Sequence, residues 1–326
     1  MSARDTIRSM TTRRSEPSDF RYSIVMPVYN SEEIVGTTID RVVEVFTRAG
    51  LDFELICVND GSPDDSWAVI SQRAESTPGV VALDLMKNYG QHYANLAGLI
   101  EATGDYVITM DDDLQNPPDQ ALLLIETAVI GGHEVVFGQF TRKQAKGLRR
   151  VGSLLIGQIN QRVFGQPHDL VVSNFRILRR DVVDRIVASR TAYPYITGQA
   201  LLVSRDRANV QVRHDPRPSG KSNYNLARIL SLVLTILFSY SSWPLRAAAL
   251  LGFAVSGMSF LLGGFLVARA LLTETTVPGW TSIMVLMSIF AGVIIALLSM
   301  IGEYVVRTLN TVSRDASFHV VRRVGR

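Results

Sequence analysis

Asp111, Asp112 and Asp113 close the apolar run at 106–110, and Leu114, Gln115, Asn116, Pro117 and Pro118 follow at once. A carboxylate triplet at a strand end, held by a proline-stiffened turn, outlines a site for a hard cation. Side chains two apart on an extended chain point the same way, so Asp111 and Asp113 are expected to converge while Asp112 faces elsewhere. Oxygen donors without clustered His or Cys favour Mg2+ or Mn2+, ions that usually share their coordination sphere with substrate phosphates. Standing alone, the triplet reads equally as an acidic turn at the end of a strand. His92, His133, His168, His214 and His319 show no metal-ligand spacing and read as surface or packing residues.

The elements that must position these acids alternate. Apolar, strand-length runs at 22–28, 53–58, 80–86, 106–110 and 134–138 are separated by helical patterns at 32–49, 64–75, 91–102 and 118–131. Such alternation, with near-continuous β-branched runs, predicts a mostly parallel sheet covered on both faces. Ligands on such sheets bind beyond the carboxyl ends of the strands. Asn30 follows the first strand, Asn59, Asp60 and Gly61 the second, Lys87 and Asn88 the third, and the acids the fourth. The first unit has no GxGxxG and the chain no GxxxxGK[ST], so dinucleotide-binding and P-loop readings lose their main support.

The 326 residues are 47% hydrophobic, and the apolar ones are unevenly spread. Two stretches of about 22 residues, 247–268 and 281–302, carry no charge; as helices each would run roughly 33 Å, enough for a hydrocarbon core of about 30 Å. Two transmembrane helices are expected, joined by a hairpin carrying Arg269, Glu274, Pro278 and Gly279. Arg246 before the first span and Arg307, Arg314, Arg322, Arg323 and Arg326 after the second place both termini on the cytoplasmic side. The domain plan is a disordered polar N-terminus (1–20), a cytosolic catalytic domain (21–221) and a juxtamembrane amphipathic helix (222–244). A two-helix membrane hairpin (245–302) and a basic cytosolic tail (303–326) suited to anionic headgroups complete it. Cys57, the single cysteine, sits in an apolar run and reads as a buried thiol. A net charge of +3 is too small to argue for nucleic acid.

The segments Pro27-Val28-Tyr29-Asn30, Asn59-Asp60-Gly61-Ser62, Lys87-Asn88-Tyr89-Gly90-Gln91, the acidic turn through Pro118, and Arg217 to Tyr224 occur in this order ahead of the apolar stretches. The series resembles the family 2 glycosyltransferases that make polyprenyl-phosphate-linked sugars, among them the bacterial undecaprenyl-phosphate sugar transferases and, more distantly, dolichyl-phosphate mannose synthase. The resemblance implies a GT-A-type nucleotide-sugar-binding α/β domain with a mostly parallel sheet, followed by an interfacial helix and two transmembrane helices. It implies a donor site at Pro27, Tyr29, Asn30, Asp60, Lys87 and Asp111, and metal ligation by Asp111, Asp113 and Gln115. It also implies an acceptor-phosphate site at Arg149, Ser153 and Arg217. Catalysis would then rest on Asp111, Asp113, Arg149 and Arg217, with Mg2+ or Mn2+, a UDP-sugar as expected donor, polyprenyl phosphate as acceptor, membrane lipids as surroundings and a homo-oligomer, as in tetrameric relatives. Physics agrees for the acceptor site: residues at i and i+4 share a helix face, and arginine offers a forked donor to phosphate oxygens.

Four positions depart from the family pattern. Ser31 stands where a glutamate is usual, Asn59 where an aspartate is, Asn223 where a lysine is, and Asn174 where many relatives carry an acid before Phe175-Arg176. The last removes the carboxylate that would serve there as general base. Two alternatives remain. A processive polysaccharide synthase would carry an Arg-Trp acceptor motif, and the chain has no Arg-Trp pair. A catalytically silent membrane scaffold would keep the fold without the acids, which are intact.

Overall fold

The computed structural model describes residues 16–140, 157–189, 193–213 and 215, parts of 234–261, and residues 279–312 and 318–325. Side chains within 279–312 are described only in part. Elements run β1 (Arg21–Val28), α1 (Val35–Arg48), β2 (Asp52–Asn59), α2 (Ser66–Ser76), β3 (Val80–Leu85), α3 (Gln91–Glu101), β4 (Tyr106–Thr109), α4 (Asp119–Gly131) and β5 (Val135–Phe140). They continue as β6 (Arg176–Arg179), α5 (Arg180–Ala188), α6 (Ile196–Val203), β7 (Arg207–Val212), α7 (Trp280–Val312) and β8 (Val320–Val324).

Two compact units emerge: Met1–Arg190 with Pro194–Ile229 and Asp315–Arg326, and Thr191–Tyr193 with Leu230–Arg314. The first is built on one eight-stranded sheet in the order β7-β5-β6-β4-β1-β2-β3-β8. Its centre, β4-β1-β2-β3, is parallel. Every β1 residue from Tyr22 to Val28 is buried, as a central strand covered on both faces requires. On α1, Val35, Thr38, Ile39, Val42 and Phe46 recur at helical spacing on one buried face. Burial of Ile39, Val42 and Phe46 contributes about 1.5–3 kcal/mol each. Registers Val28↔Asn59 and Asn59↔Asp84 bring the ends of β1, β2 and β3 to one rim.

β6 runs antiparallel to both β4 and β5, setting Arg176 opposite Thr109. β8 adds an antiparallel edge to β3. In the second unit α7 is one helix of 33 residues, and Tyr304 on it donates to the Ser241 carbonyl at 3.1 Å.

Two expectations change. Residues 16–20, expected to be disordered, are ordered: Pro17–Asp19 form a 3-10 turn, the Glu16 amide donates to Asp19 Oδ2 (2.9 Å), and Phe20 packs edge-on to Tyr106. The segment expected to be a basic tail instead continues α7 to Val312 and supplies β8. The expected first span lies largely outside the described residues. Among residues whose side chains are described, no helix is long and apolar enough to cross a membrane. The α7 backbone is nevertheless continuous, and its sequence carries no charge before Glu303.

Candidate functional site

A cavity of about 360 Å3 opens at the rim where β1, β2 and β4 end, lined by Pro27, Tyr29, Asp60, Asn88, Gly90, Gln91 and the acidic turn with Gln115. Tyr29 is half exposed on its wall.

β4 stops at Thr109, so the acids lie in a turn and not on an extended chain. Leu114, at φ 57°, reverses the backbone behind them. Asp112 lines the cavity with Asp111 and Asp113, while its carboxylate bonds to Ser31 and its Oδ2 is buried. The turn is anchored from below: Thr38 on α1 donates its hydroxyl to the Asp112 carbonyl (2.8 Å), and the Gln115 amide donates to Asp113 Oδ1 (3.1 Å). Gln91, at the start of α3, donates to Asp111 Oδ1 (2.6 Å).

Crowding is visible in the acids' affinity for protons. Burial, then the charges of Asp113 and Asp112, push Asp111 up to about 7. Burial, opposed by a hydrogen bond from Ser31 and reinforced by Asp113, pushes Asp112 up to about 6. Asp111 and Asp112, holding protons this tightly, are short of positive charge, which a divalent cation would supply. Among the described residues no group of three His, Cys, Asp or Glu could hold a metal ion by itself.

Asp60 is buried, and its two oxygens accept from the backbone amides of Tyr89 (2.7 Å) and Gly90 (2.9 Å). Burial raises its pKa while these two bonds pull it back. The Lys87–Gly90 loop is thereby tied to the end of β2. Gly61, at φ 61°, is required there, because a Cβ would lie 2.4 Å from the Lys87 carbonyl carbon.

Arg176 was not singled out as a functional residue by the sequence. It is fully buried on β6, donating Nη1–H to Thr197 Oγ1 (2.6 Å), while Nε and Nη2 have no hydrogen-bond partner among the described residues. Burial lowers its pKa to about 10, against the charges of Tyr195 and Asp111. A fixed cation thus lies within electrostatic reach of the acidic turn. His92 packs edge-on to Tyr195, 5.3 Å between ring centres. Burial and then Arg176 lower it to about 4, so it is neutral at pH 7.

Of the expected donor residues, Pro27, Tyr29, Asp60 and Asp111 share the cavity with the expected ligands Asp113 and Gln115. Lys87 lines a neighbouring cavity with Asp84 and Arg322, its Nζ 5.3 Å from the centre of the Tyr89 ring. Asn30 lines neither cavity; its left-handed backbone (φ 54°) directs its amide to Ser62 Oγ at 3.1 Å. Arg149, Ser153 and Arg217 lie outside the described residues. Asn88, Gly90 and Gln91 are added to the site; their signal was the Asn-Tyr-Gly-Gln run after β3. Cys57 is buried and free.

The model of the family described as Glycosyl transferase family 2 matches residues 23–187. Over nearly its full length the chain is similar to curated bacterial proteins. The undecaprenyl-phosphate 4-deoxy-4-formamido-L-arabinose transferase of Pseudomonas fluorescens is 32% identical over 301 residues, covering 91% of this chain and 88% of the relative. An uncharacterized glycosyltransferase of Bacillus subtilis, YkcC, is 29% identical over 304 residues, covering 93% and 94%. Among solved structures, glucosyl-3-phosphoglycerate synthase from Mycobacterium tuberculosis, crystallised with Mn2+, UDP-glucose and phosphoglyceric acid, superposes with a TM-score of 0.50 at 18% identity over 67% of this chain and 78% of that one. Mannosyl-3-phosphoglycerate synthase from Rubrobacter xylanophilus gives the same score and identity over 67% and 73%.

Proposed function

The chain belongs to glycosyl transferase family 2, a glycosyltransferase with a GT-A-like α/β fold and a mostly parallel sheet, and on that premise we propose that it moves a sugar from a nucleotide-sugar to polyprenyl phosphate at a membrane. One observation carries the donor half: a single cavity joins an aromatic and carboxylate face at Tyr29 and Asp60 to an acidic turn crowded enough to raise Asp111 to about 7. The first face suits a nucleoside, with UDP the expected nucleotide, and the second suits its diphosphate. Asp111, Asp113 and Gln115 are the residues that would hold Mg2+ or Mn2+, which when bound supplies Lewis-acid stabilisation of the departing diphosphate.

For the acceptor, support comes from relatives named for undecaprenyl phosphate that align along nearly the whole chain, including the apolar segments. A phosphate monoester has a second pKa of about 6 and is dianionic at neutral pH, so the nucleophile needs no general base. Asn174, in place of an acid, is then no obstacle. Arg149, Ser153 and Arg217 are assigned to the lipid phosphate, where forked guanidinium donors lower the cost of bringing two anions together. A lipid phosphate oxygen bonds to the anomeric carbon as the bond to the diphosphate breaks, and the electron pair leaves with the nucleotide diphosphate. The displacement is in line, with inversion. α7 and the apolar stretch at 247–268 are the proposed membrane spans, with 222–244 in the interface, both termini cytoplasmic, and the protein a homo-oligomer, a tetramer as in relatives, in the inner membrane. The product is a lipid-linked sugar for cell-envelope glycan assembly.

The test is release of nucleotide diphosphate on addition of polyprenyl phosphate. Asp113→Ala should abolish it, and excess chelator should abolish it in the wild type. Full activity in either case overturns the assignment of the acids.

A further inference from the structure

Resting on the donor site proposed above, we infer that Arg322, on the edge strand β8, positions the loop that carries Asp60 and so sets nucleotide affinity from outside the pocket. β8 pairs with β3 through Ala82↔Val324, Leu83↔Arg323 and Asp84↔Arg322. Adjacent residues on a strand face opposite sides. Arg323 reaches Glu101 on α3, Nε to Oε1 at 2.9 Å. Arg322 grips Asp84 Oδ2, from Nε at 2.7 Å and Nη2 at 2.5 Å, and its guanidinium lies 4.5 Å from the centre of the Trp67 ring.

Asp84 passes the constraint on. It is buried, and its other oxygen accepts from Asn59 Nδ2 at 2.7 Å. A carboxylate only accepts, so the Asn59 amide nitrogen must face it, and the amide oxygen is left to accept from the Ser62 backbone N–H at 3.3 Å. Ser62 Oγ in turn accepts from the Asn30 backbone N–H, and the Asp60 backbone N–H donates to the Val28 carbonyl at 2.9 Å. Arg322, Asp84, Asn59 and Ser62 thus form one hydrogen-bonded line ending beside Asp60 and Tyr29. The line has little slack, since Gly61 leaves no room for a Cβ against Lys87. Asn59 is the residue type this line needs: an aspartate there would face Asp84 charge to charge.

Arg322 is 58% exposed, so its replacement opens no core. UDP binding to the purified full-length protein with Mn2+ is measured by calorimetry, with GDP and CDP alongside. Arg322→Ala should weaken UDP about 3- to 10-fold, the worth of one ordered hydrogen bond at the loop. Arg322→Lys should recover part of that loss. Arg323→Ala removes the other ion pair that docks β8 and should leave UDP affinity unchanged. Adding Arg322→Ala to Asn59→Ala should cost nothing further. The inference is overturned if Arg322→Ala binds UDP like the wild type, or if Arg323→Ala weakens it equally, which would mean that strand docking alone matters. If the wild type binds none of the three nucleotides, the donor-site reading itself falls.

Discussion

Asp60→Asn isolates the tie between β2 and the Lys87–Gly90 loop. The carboxylate holds the Tyr89 amide at 2.7 Å through Oδ1 and the Gly90 amide at 2.9 Å through Oδ2, in a site where Asp60 is 3% exposed. A hydrogen bond to a charged group contributes about 1.5–3 kcal/mol. Asparagine keeps one acceptor and turns an NH2 toward the other amide, so one bond is lost and one buried donor is stranded. A local loss of about 1.5–3 kcal/mol corresponds to roughly 10- to 150-fold faster exchange if the loop opens as a unit. Hydrogen exchange by mass spectrometry reads this directly at peptides covering Tyr89 and Gly90, with β1 peptides as the internal standard. Nucleotide affinity should fall in parallel, because the same loop contributes Asn88 and Gly90 to the cavity wall. Unchanged exchange in Asp60→Asn would refute the view that Asp60 holds the loop.

Glu54 predicts an acid-sensitive contribution to stability. Burial alone would raise its pKa, but hydrogen bonds from Ser23 (2.6 Å) and the Thr103 amide (2.7 Å) and hydroxyl (2.9 Å), with Arg21 nearby, hold it below its ordinary 4.5. A depressed carboxylate stabilises above its unfolded pKa, so the advantage of wild type over Glu54→Gln should be full at pH 7 and shrink as pH falls below about 4.5; a constant difference between pH 7 and pH 3 in denaturation midpoints would contradict this. Arg149→Ala and Arg217→Ala should leave nucleotide-sugar affinity nearly unchanged and cut transfer to lipid roughly 10- to 100-fold, with lysine rescuing only in part. Loss of nucleotide-sugar binding with intact lipid affinity would move either arginine to the donor site. Cysteine labelling in intact cells, on a Cys57→Ser background, should put residues 1–245 and the segment after 302 on one side of the membrane and residues 273–279 on the other; opposite sides for the two termini would remove one span.

Strands β1 to β5 were legible because each is a short apolar run between turn signals, and the helices between them because their buried faces recur at helical spacing. β6 was not, since its sequence, Arg-Ile-Leu-Arg, opens with an arginine that is buried nonetheless. β7 is half-exposed along most of its length and carries a weak apolar pattern. β8 reads as basic tail because its partner β3 lies some 240 positions earlier, and pairing over that distance leaves no local signature. The cavity at the sheet rim was legible in Pro27, Tyr29, Asp60 and the acids, which the sequence places at strand ends where a parallel sheet gathers its ligands. Lys87 lines the neighbouring cavity, a placement that residue order along a loop does not reveal.

The central claim is sugar transfer to a lipid phosphate. Purified protein is incubated with undecaprenyl phosphate, Mn2+ or Mg2+ and a panel of nucleotide sugars, and the lipid fraction is weighed by mass spectrometry. The account predicts one new species, heavier than the lipid phosphate by a single sugar residue, formed from one donor and absent in Asp113→Ala. A panel that includes UDP-linked hexoses and pentoses and yields no lipid-linked sugar, while the protein glycosylates a soluble acceptor, would contradict it.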